Sequence, residues 1–349
     1  MKDEIVMLRK IKKRILLSIA KQSNRRLDLF AIKYLHASQE EIEKYRIMLY
    51  AIRLVDNFET ECQSIVFNKK KMMINEGTFS YTYLNVAYLN NIVGLILYSL
   101  YKGCVPVINI NIDQKDNYNN WDWYFDQPAI VMGQEKPIKL DEFESIICDI
   151  KQSPFQPVFE CAFETDSIEY KIWSFIYKKF LSFNKYTYEY IQSELNMING
   201  IKSIGCLLRG TDYIKLKPKG HPAQPDIEEV LNHIENLIKT NEYDCIYVAT
   251  EEYRYFEIVR QRFNSIKVIQ NKRTYYDAAY YENNIELIGN VHFDRDNDNY
   301  LKGLEYLSSI TILAKCDYLL GGNCGGMLYA ILMRSNPDID TYVFNKGRY

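Results

Sequence analysis

The residues best suited to chemistry follow an apolar run that ends at Leu208. Arg209 comes first, and its planar guanidinium matches a diphosphate and keeps its charge at any pH. Gly210 permits close approach to the backbone, and the hydroxyl of Thr211 and the carboxylate of Asp212 come next. Asp212 has a second interpretation, a structural ion pair that orients the arginine. The segment predicts an anion site centred on Arg209.

The chain then enters a loop that is rich in positive charge. It contains three lysines between residues 215 and 219 and then His221-Pro222. This composition favours anions, although a solvated charged loop is the ordinary interpretation. Tyr213, between the arginine and the loop, is a candidate contact for the same ligand. Asp212 and His221 are the candidates for a general base.

Two further apolar runs end in residues that could bind a ligand. The run before Thr250 is followed by Glu251 and Glu252, which could bind ribose hydroxyls or base N–H groups, or could begin a helix. The run from residue 317 ends in a glycine-rich turn, Asn323-Cys324-Gly325-Gly326, before another apolar helix. Backbone N–H groups at such a helix start attract anions.

These runs belong to a regular alternation of strands and helices in the second half of the chain. The predicted strands are Ser203–Leu208, Cys245–Ala249, Ile266–Ile269 and Tyr318–Leu320, and the predicted helices are Asp226–Thr240, Tyr253–Phe263, Tyr300–Ala314 and Gly326–Met333. Strict alternation predicts a doubly wound parallel sheet, and ligands bind such sheets at the carboxyl ends of the strands. The three candidate segments are therefore expected to meet at one edge.

The first half also predicts an α/β layer. Helices are expected at Glu40–Val55 and Thr82–Tyr101, followed by a buried strand from Val105. One long helix over Ser167–Met197 is expected to bridge the two halves, with a domain boundary near the Asn-Gly turn at 199–200. We therefore predict domains at residues 1–198 and 199–349.

A polar segment at residues 117–128 is crowded with aromatic side chains, including Trp121 to Phe125. Two roles are open for it. It could fill the interface between the two halves, or it could form a platform for an acceptor molecule.

Composition excludes several classes of protein. The 349 residues include 43 Lys and Arg against 45 Asp and Glu, a formal net charge of −2 that disfavours a nucleic-acid partner. The eight cysteines are scattered and the four histidines are not paired at ligand spacing, so no zinc site is expected. No signal peptide or membrane span is evident, which predicts a cytoplasmic protein.

The N-terminal segment qualifies that prediction. Residues Ile5 to Leu17 place apolar side chains at helical spacing among five basic ones. Such a helix either contacts an anionic membrane face peripherally or is an ordinary surface helix with a solvated side.

Together the motifs resemble the superfamily of α-1,6-fucosyltransferases, nodulation fucosyltransferases and protein O-fucosyltransferases. The matching blocks are Leu208-Arg-Gly-Thr-Asp212, His221-Pro222, Val248-Ala-Thr-Glu-Glu252 and Leu313-Ala-Lys-Cys-Asp-Tyr-Leu-Leu320, in the superfamily's order over residues 200–335. The first half offers only Leu89-Asn-Asn-Ile-Val-Gly-Leu95, which looks like the superfamily's first helix.

The resemblance implies two Rossmann-like domains facing a cleft, the glycosyltransferase-B architecture, with an acceptor side in the first and a nucleotide sugar in the second. It implies an inverting transfer of fucose from GDP-fucose to a glycan hydroxyl, with no metal and no further cofactor. Arg209 would stabilise the leaving diphosphate, Glu252 would contact the base, and Asn323 to Gly326 would donate to the phosphates. A bacterial surface polysaccharide precursor is the expected acceptor.

The chain departs from the superfamily pattern at several positions. Gly210 stands where the double-arginine forms have their second arginine, and Leu207 replaces a histidine. The aspartate pair is Glu251-Glu252, and the serine pair of the phosphate loop is Cys324-Gly325.

Two other functions compete with this hypothesis. A metal-dependent glycosyltransferase would need a D-x-D motif, and Asp294-Arg-Asp296 and Asp296-Asn-Asp298 match one formally. A catalytically silent nucleotide- or sugar-binding protein of the same fold is the other alternative.

Overall fold

The protein is described here from a computed structural model that covers residues 2–22, 24–75, 85–111, 119–133, 138–149, 156–158, 164–275 and 291–349. The side chains of residues 2–10, 149, 211 and 212 lie outside that description.

The described part of the first half starts with helices and continues into a small sheet. Its elements are α1 (Lys2–Gln22), α2 (Arg25–Tyr34), α3 (Gln39–Asp56), α4 (Phe58–Phe67), β1 (Lys70–Asn75), α5 (Val86–Tyr101), β2 (Val105–Asn109), α6 (Pro128–Met132) and β3 (Glu144–Asp149). The strands run parallel in the order β2-β1-β3. The predicted helices and the strand from Val105 are confirmed where they are described, and residues 82–84 of the predicted second helix lie outside the described residues.

The second half follows two connecting helices. Its elements, with those two helices first, are α7 (Ile168–Phe180), α8 (Lys185–Leu195), β4 (Ser203–Leu208), α9 (Thr211–Leu216), α10 (Ile227–Thr240), β5 (Cys245–Thr250), α11 (Tyr253–Arg262), β6 (Lys267–Ile269), α12 (Asp298–Leu313), β7 (Tyr318–Gly322), α13 (Gly325–Met333) and β8 (Thr341–Phe344). Every predicted strand and helix of this half is confirmed with small shifts at its ends.

The second sheet has all of its strands parallel in the order β6-β5-β4-β7-β8. Every residue of β4, β5 and β7 is buried, as expected of strands covered on both faces by helices. When the strands are renumbered from β4, the order is 3-2-1-4-5. Successive strands are added on one side of β4 up to β6 and on the other side from β7, so the strand order reverses between β4 and β7. The predicted α/β class and the doubly wound sheet are therefore confirmed, and the reversal point is where ligands bind in such sheets.

The prediction of one long helix over Ser167–Met197 is wrong. The chain leaves the helix at Leu181, and Asn184 begins a new one by accepting a hydrogen bond from the backbone N–H of Thr187 at 2.9 Å. Between the two helices, Phe183 stacks on Phe125 with ring centroids 5.4 Å apart. The helix breaks because this short segment docks the aromatic loop.

The aromatic loop at residues 119–126 fills the interface between the two halves. Trp121, Tyr124 and Phe125 are buried, and the Tyr124 hydroxyl donates to the carbonyl of Tyr300 at 2.8 Å while the two rings stack. The packing role is confirmed, and a role for these three rings as an acceptor platform is wrong. Residues 117 and 118 of the predicted segment lie outside the described residues.

The hydrophobic core runs without interruption from the first half into the second. Helix α5 of the first half and the connecting helix α7 both pack against α13, and one cluster of buried side chains includes residues from all three. The boundary at residues 198/199 stays a prediction, with one sheet on either side of it. Among the described residues, no helix has the length and apolar character needed to cross a bilayer.

Candidate functional site

A cavity lies at the reversal point of the second sheet. Because Leu207 pairs with Gly321, the chain leaves β4 and β7 at the same edge. The cavity is lined by Leu207, Leu208, Arg209, Tyr213, Ala249, Thr250, Glu251, Arg273, Tyr306, Ser309, Ile310, Cys324, Gly325 and Gly326. The structure thus brings together seven of the residues singled out in the sequence: Arg209, Tyr213, Thr250, Glu251, Cys324, Gly325 and Gly326.

Arg209 is held in place from two sides. One of its terminal nitrogens lies 3.5 Å from a carboxylate oxygen of Glu251, whose side chain is buried. The guanidinium stacks over the ring of Tyr213, 4.4 Å from its centroid. Arg209 lines the cavity, and 22% of its side chain is exposed. A fixed, partly desolvated cation of this kind interacts strongly with an anion that enters.

Glu252 points away from the cavity and lies under Gly210. It is 1% exposed and pairs with the guanidinium Nε of Arg254 at 3.0 Å. A Cβ added at Gly210 would lie 2.2 Å from the Glu252 carboxylate. The missing second arginine therefore has a physical reason, since the space beside residue 210 is filled by Glu252. The predicted base contact of Glu252 is not supported by this placement, and Glu251 is the carboxylate that lines the cavity.

His221 lies outside the cavity lining but is connected to it. Its Nδ1 is 3.0 Å from the hydroxyl of Tyr213, the residue that stacks under Arg209. The C-terminal residues hold the loop that carries it, since the Arg348 guanidinium donates to the carbonyl of Gly220 at 2.6 Å and the Tyr349 N–H donates to the carbonyl of His221 at 3.0 Å. The histidine is thus positioned by tyrosine and by the chain's last residues.

The glycine-rich turn also lines the cavity. Helix α13 begins at Gly325, and its N-cap residue, Cys324, has no side-chain oxygen to occupy the first turn. Burial raises the pKa of the Cys324 thiol, so that it remains uncharged near neutral pH. A Cβ at Gly326 would come within 3.0 Å of Leu207. The turn thus presents the positive end of a helix dipole and backbone rather than bulky side chains.

The remaining predicted residues are placed as follows. Asn323 precedes the turn and does not line the cavity, and its carbonyl accepts from the side-chain amide of Gln224 at 3.1 Å. Thr211 and Asp212 begin the short helix α9, and their side chains lie outside the described residues.

Arg273 lines the cavity and was missed by the sequence reasoning. It follows β6 in the segment Asn271-Lys-Arg-Thr274, at the carboxyl end of a parallel strand. The rule that located the other three segments applies there as well, so strand position was the available signal. The cavity therefore has two arginines from two different strand ends, Arg209 and Arg273.

Two buried carboxylates fix the segment that carries Arg273. Glu194 accepts a hydrogen bond from the backbone N–H of Lys272 at 2.7 Å. Glu305 accepts from the N–H of Thr274 at 3.3 Å and from Arg295 at 2.6 Å. These contacts come from helices α8 and α12, so the position of Arg273 depends on both.

The acidic stretch at Asp294–Asp298 forms a structural network. Asp298 accepts from the guanidinium Nε of Arg295 at 2.7 Å and from the backbone N–H of Phe293 at 3.0 Å, while Asp294 and Asp296 are exposed. Within the described residues, no group of three or more His, Cys, Asp or Glu side chains is arranged to hold a metal ion. Asp298 thus serves to hold Arg295, which in turn holds Glu305.

No protein-family profile matches the sequence, and the comparison with curated proteins finds no related sequence. Solved structures that are similar to this chain include three fucosyltransferases. POFUT1 in complex with GDP has 10% identity and a TM-score of 0.46, over 79% of this chain and 98% of that one. The fucosyltransferase NodZ from Bradyrhizobium has 12% identity and a TM-score of 0.45, over 76% and 94%. A mutant of Arabidopsis thaliana FUT1 in complex with GDP has 8% identity and a TM-score of 0.42, over 88% and 79%.

Proposed function

We propose that this chain is an inverting, metal-independent glycosyltransferase that moves fucose from GDP-fucose to a hydroxyl of a glycan, in the synthesis of a bacterial surface polysaccharide. The observation that supports the proposal is the meeting of Arg209 and the start of α13 at one cavity between β4 and β7. The sequence blocks around Arg209 and Glu251, which resemble those of fucosyltransferases, indicate the donor.

In the proposed reaction the acceptor hydroxyl oxygen forms a bond to the anomeric carbon, and the bond from that carbon to the diphosphate oxygen breaks. The electron pair leaves with the diphosphate, and the hydroxyl proton passes to a general base. Arg209 and the first turn of α13 stabilise the charge that develops on the diphosphate. Because Glu251 and Tyr213 already hold the guanidinium, little reorganisation is needed when that charge appears.

The general base is assigned to one of the two residues that the sequence indicated, Asp212 or His221. His221 is placed so that its imidazole shares a hydrogen bond with Tyr213.

Arg273 is proposed to bind the donor as a second cation. Replacing Arg273 with alanine is expected to raise the KM for GDP-fucose about tenfold or more, because a hydrogen bond to a charged group contributes about 1.5–3 kcal/mol. We expect kcat to fall less than KM rises, since Arg209 still faces the leaving group. Steady-state kinetics with varied donor concentration measures both.

The matched control for Arg273 is Arg262→Ala, which removes an exposed arginine of α11 that pairs with Glu235. That variant should keep the KM of the unaltered chain. An unchanged KM in Arg273→Ala would remove Arg273 from the donor site while leaving the role of Arg209 intact.

The donor is tested by thermal unfolding in the presence of GDP, UDP, CDP and ADP and of their sugar conjugates. A ligand that binds only the folded chain raises the free energy of unfolding by about 2.7 kcal/mol when its concentration is 100 times Kd. We expect GDP and GDP-fucose to raise the melting temperature and the other three nucleotides to raise it much less.

Release of GDP from GDP-fucose with a glycan acceptor, with and without EDTA, completes the test. Stabilisation by a nucleotide without any transfer or hydrolysis would favour the non-catalytic binding protein. Loss of transfer in EDTA would contradict the metal-independent mechanism, and stabilisation by UDP in place of GDP would contradict the assigned donor.

A further inference from the structure

The surface of α1 and α2 carries a concentrated positive charge. Residues 11–37 contain seven Lys and Arg residues and a single acidic one, Asp28, although the whole chain has a formal net charge of −2. Asp28 is buried and accepts two hydrogen bonds of 2.8 Å from Arg46, so it contributes no exposed negative charge. Two of the seven pair with carboxylates of other helices, Lys12 with Glu41 and Lys13 with Glu169. The other five are exposed: Arg14, Lys21, Arg25, Arg26 and Lys33.

Large apolar side chains are exposed on the same two helices. Leu29 is 57% exposed and Tyr34 is 60% exposed, and Phe30 packs against Tyr34 with ring centroids 5.1 Å apart. Ile11, Ile15 and Ile32 are also exposed. Scattered single apolar residues are ordinary on a surface, but six on two adjacent helices indicate an interaction site.

The two helices already have a satisfied inner face. Both pack against α3, and Leu16, Ile19 and Ala31 form a small core with Ala37 and Ile42 that is separate from the main one. The exposed apolar side chains therefore point away from α3. These exposed side chains are distinct from the buried residues that α1 and α2 pack against α3.

We infer that α1 and α2 form a docking surface for an anionic lipid membrane. Basic side chains attract acidic headgroups, and Leu29, Phe30 and Tyr34 can enter the boundary between headgroups and acyl chains. Nucleic acid would match the charge but not these apolar side chains. A second copy of the chain would bring two strongly positive surfaces together, which is repulsive.

The test is sedimentation of the full chain with vesicles of phosphatidylcholine containing 30 mol% phosphatidylglycerol, with pure phosphatidylcholine vesicles for comparison. We expect binding to the anionic vesicles only, weakened by 0.5 M NaCl. The triple variant Arg25→Ala, Arg26→Ala, Lys33→Ala should bind at least about 20-fold more weakly, because each basic residue near such a surface contributes roughly a fivefold factor. The double variant Leu29→Ser, Phe30→Ser should lose at least about tenfold.

Each variant has a control of equal size elsewhere on the molecule. Lys185→Ala, Lys239→Ala, Arg260→Ala removes three side chains that are more than half exposed. Phe67→Ser, Ile147→Ser removes two of the most exposed apolar side chains. Both controls should bind vesicles like the unaltered chain, and circular dichroism checks that every variant is folded.

Three results would overturn the inference. One is failure of the unaltered chain to bind anionic vesicles, and another is an equal loss of binding in the controls. The third is a concentration-dependent dimer, seen by light scattering, that the Leu29 and Phe30 substitutions abolish while vesicle binding is unchanged. None of these results bears on transfer by the cavity, so the docking surface and the proposed function fail separately.

Discussion

Replacing Arg209 with alanine is expected to lower kcat at saturating donor about 100-fold or more. The substitution removes the cation that is held by Glu251 and Tyr213 at the cavity wall. A cation fixed at a partly desolvated site acts on charge that appears during the reaction, so its loss is expected mainly in kcat. Rates of GDP release under donor saturation measure the effect.

Two further variants separate chemistry from folding. Arg209→Lys keeps the charge but loses the planar fork, so we expect a smaller loss than with alanine. Arg260→Ala, an exposed arginine of α11, is the matched control and should retain full activity. If Arg209→Ala kept a third or more of kcat while still binding GDP, Arg209 would not act on the leaving group.

Replacing Trp121 with alanine is expected to lower the free energy of unfolding by about 3–5 kcal/mol. The indole is fully buried inside the aromatic loop, and its N–H donates to the carbonyl of Asp126 at 3.0 Å. Its ring lies 4.6 Å from that of Phe125. Alanine would leave a cavity within the loop and remove the donor to the Asp126 carbonyl. A drop in melting temperature of about 4–7 °C is expected if the whole chain unfolds as one unit.

Trp123→Ala is the control for this substitution. Trp123 belongs to the same loop but is partly exposed, and its ring meets Tyr300 edge-on at 5.8 Å. We expect less than half of the loss caused by Trp121→Ala. Equal losses would mean that the loop as a whole, rather than the buried indole, determines stability.

The second sheet was predictable because its central strands are buried on both faces. β4 and β5 are short, mostly apolar runs that polar or glycine residues terminate, and periodicity detects them. β1 and β3 were missed because they lie in a small sheet with exposed positions, among them Ile146 and Ile147. Their sequences, Lys70-Lys-Met-Met-Ile-Asn75 and Glu144-Ser-Ile-Ile-Cys-Asp149, lack a distinct strand pattern.

Residues of the candidate site could be predicted when they closely follow a strand, because the end of the strand then determines their position. Arg209 and Gly325 follow directly from β4 and β7, and the structure brings both to the cavity. The sequence could not show which of Glu251 and Glu252 faces the cavity, because the side chains of consecutive residues point in different directions. In the structure the space beside Gly210 is occupied by Glu252, and Glu251 lines the cavity. The position of Arg273 after β6 was an available signal. The contacts of Glu194 and Glu305 that hold its segment were not, because they come from residues distant in sequence.

Helix α13 starts at the cavity and then packs on α5 and α7 within the continuous core. Unfolding that exposes the first sheet to solvent therefore also disrupts α13. The first turn of α13 is the part that would contact the nucleotide. If the cavity binds a nucleotide as proposed, we expect binding to slow hydrogen exchange of buried backbone amides in β1 and β2, although neither strand lines the cavity. The continuous core therefore predicts that the two halves unfold together.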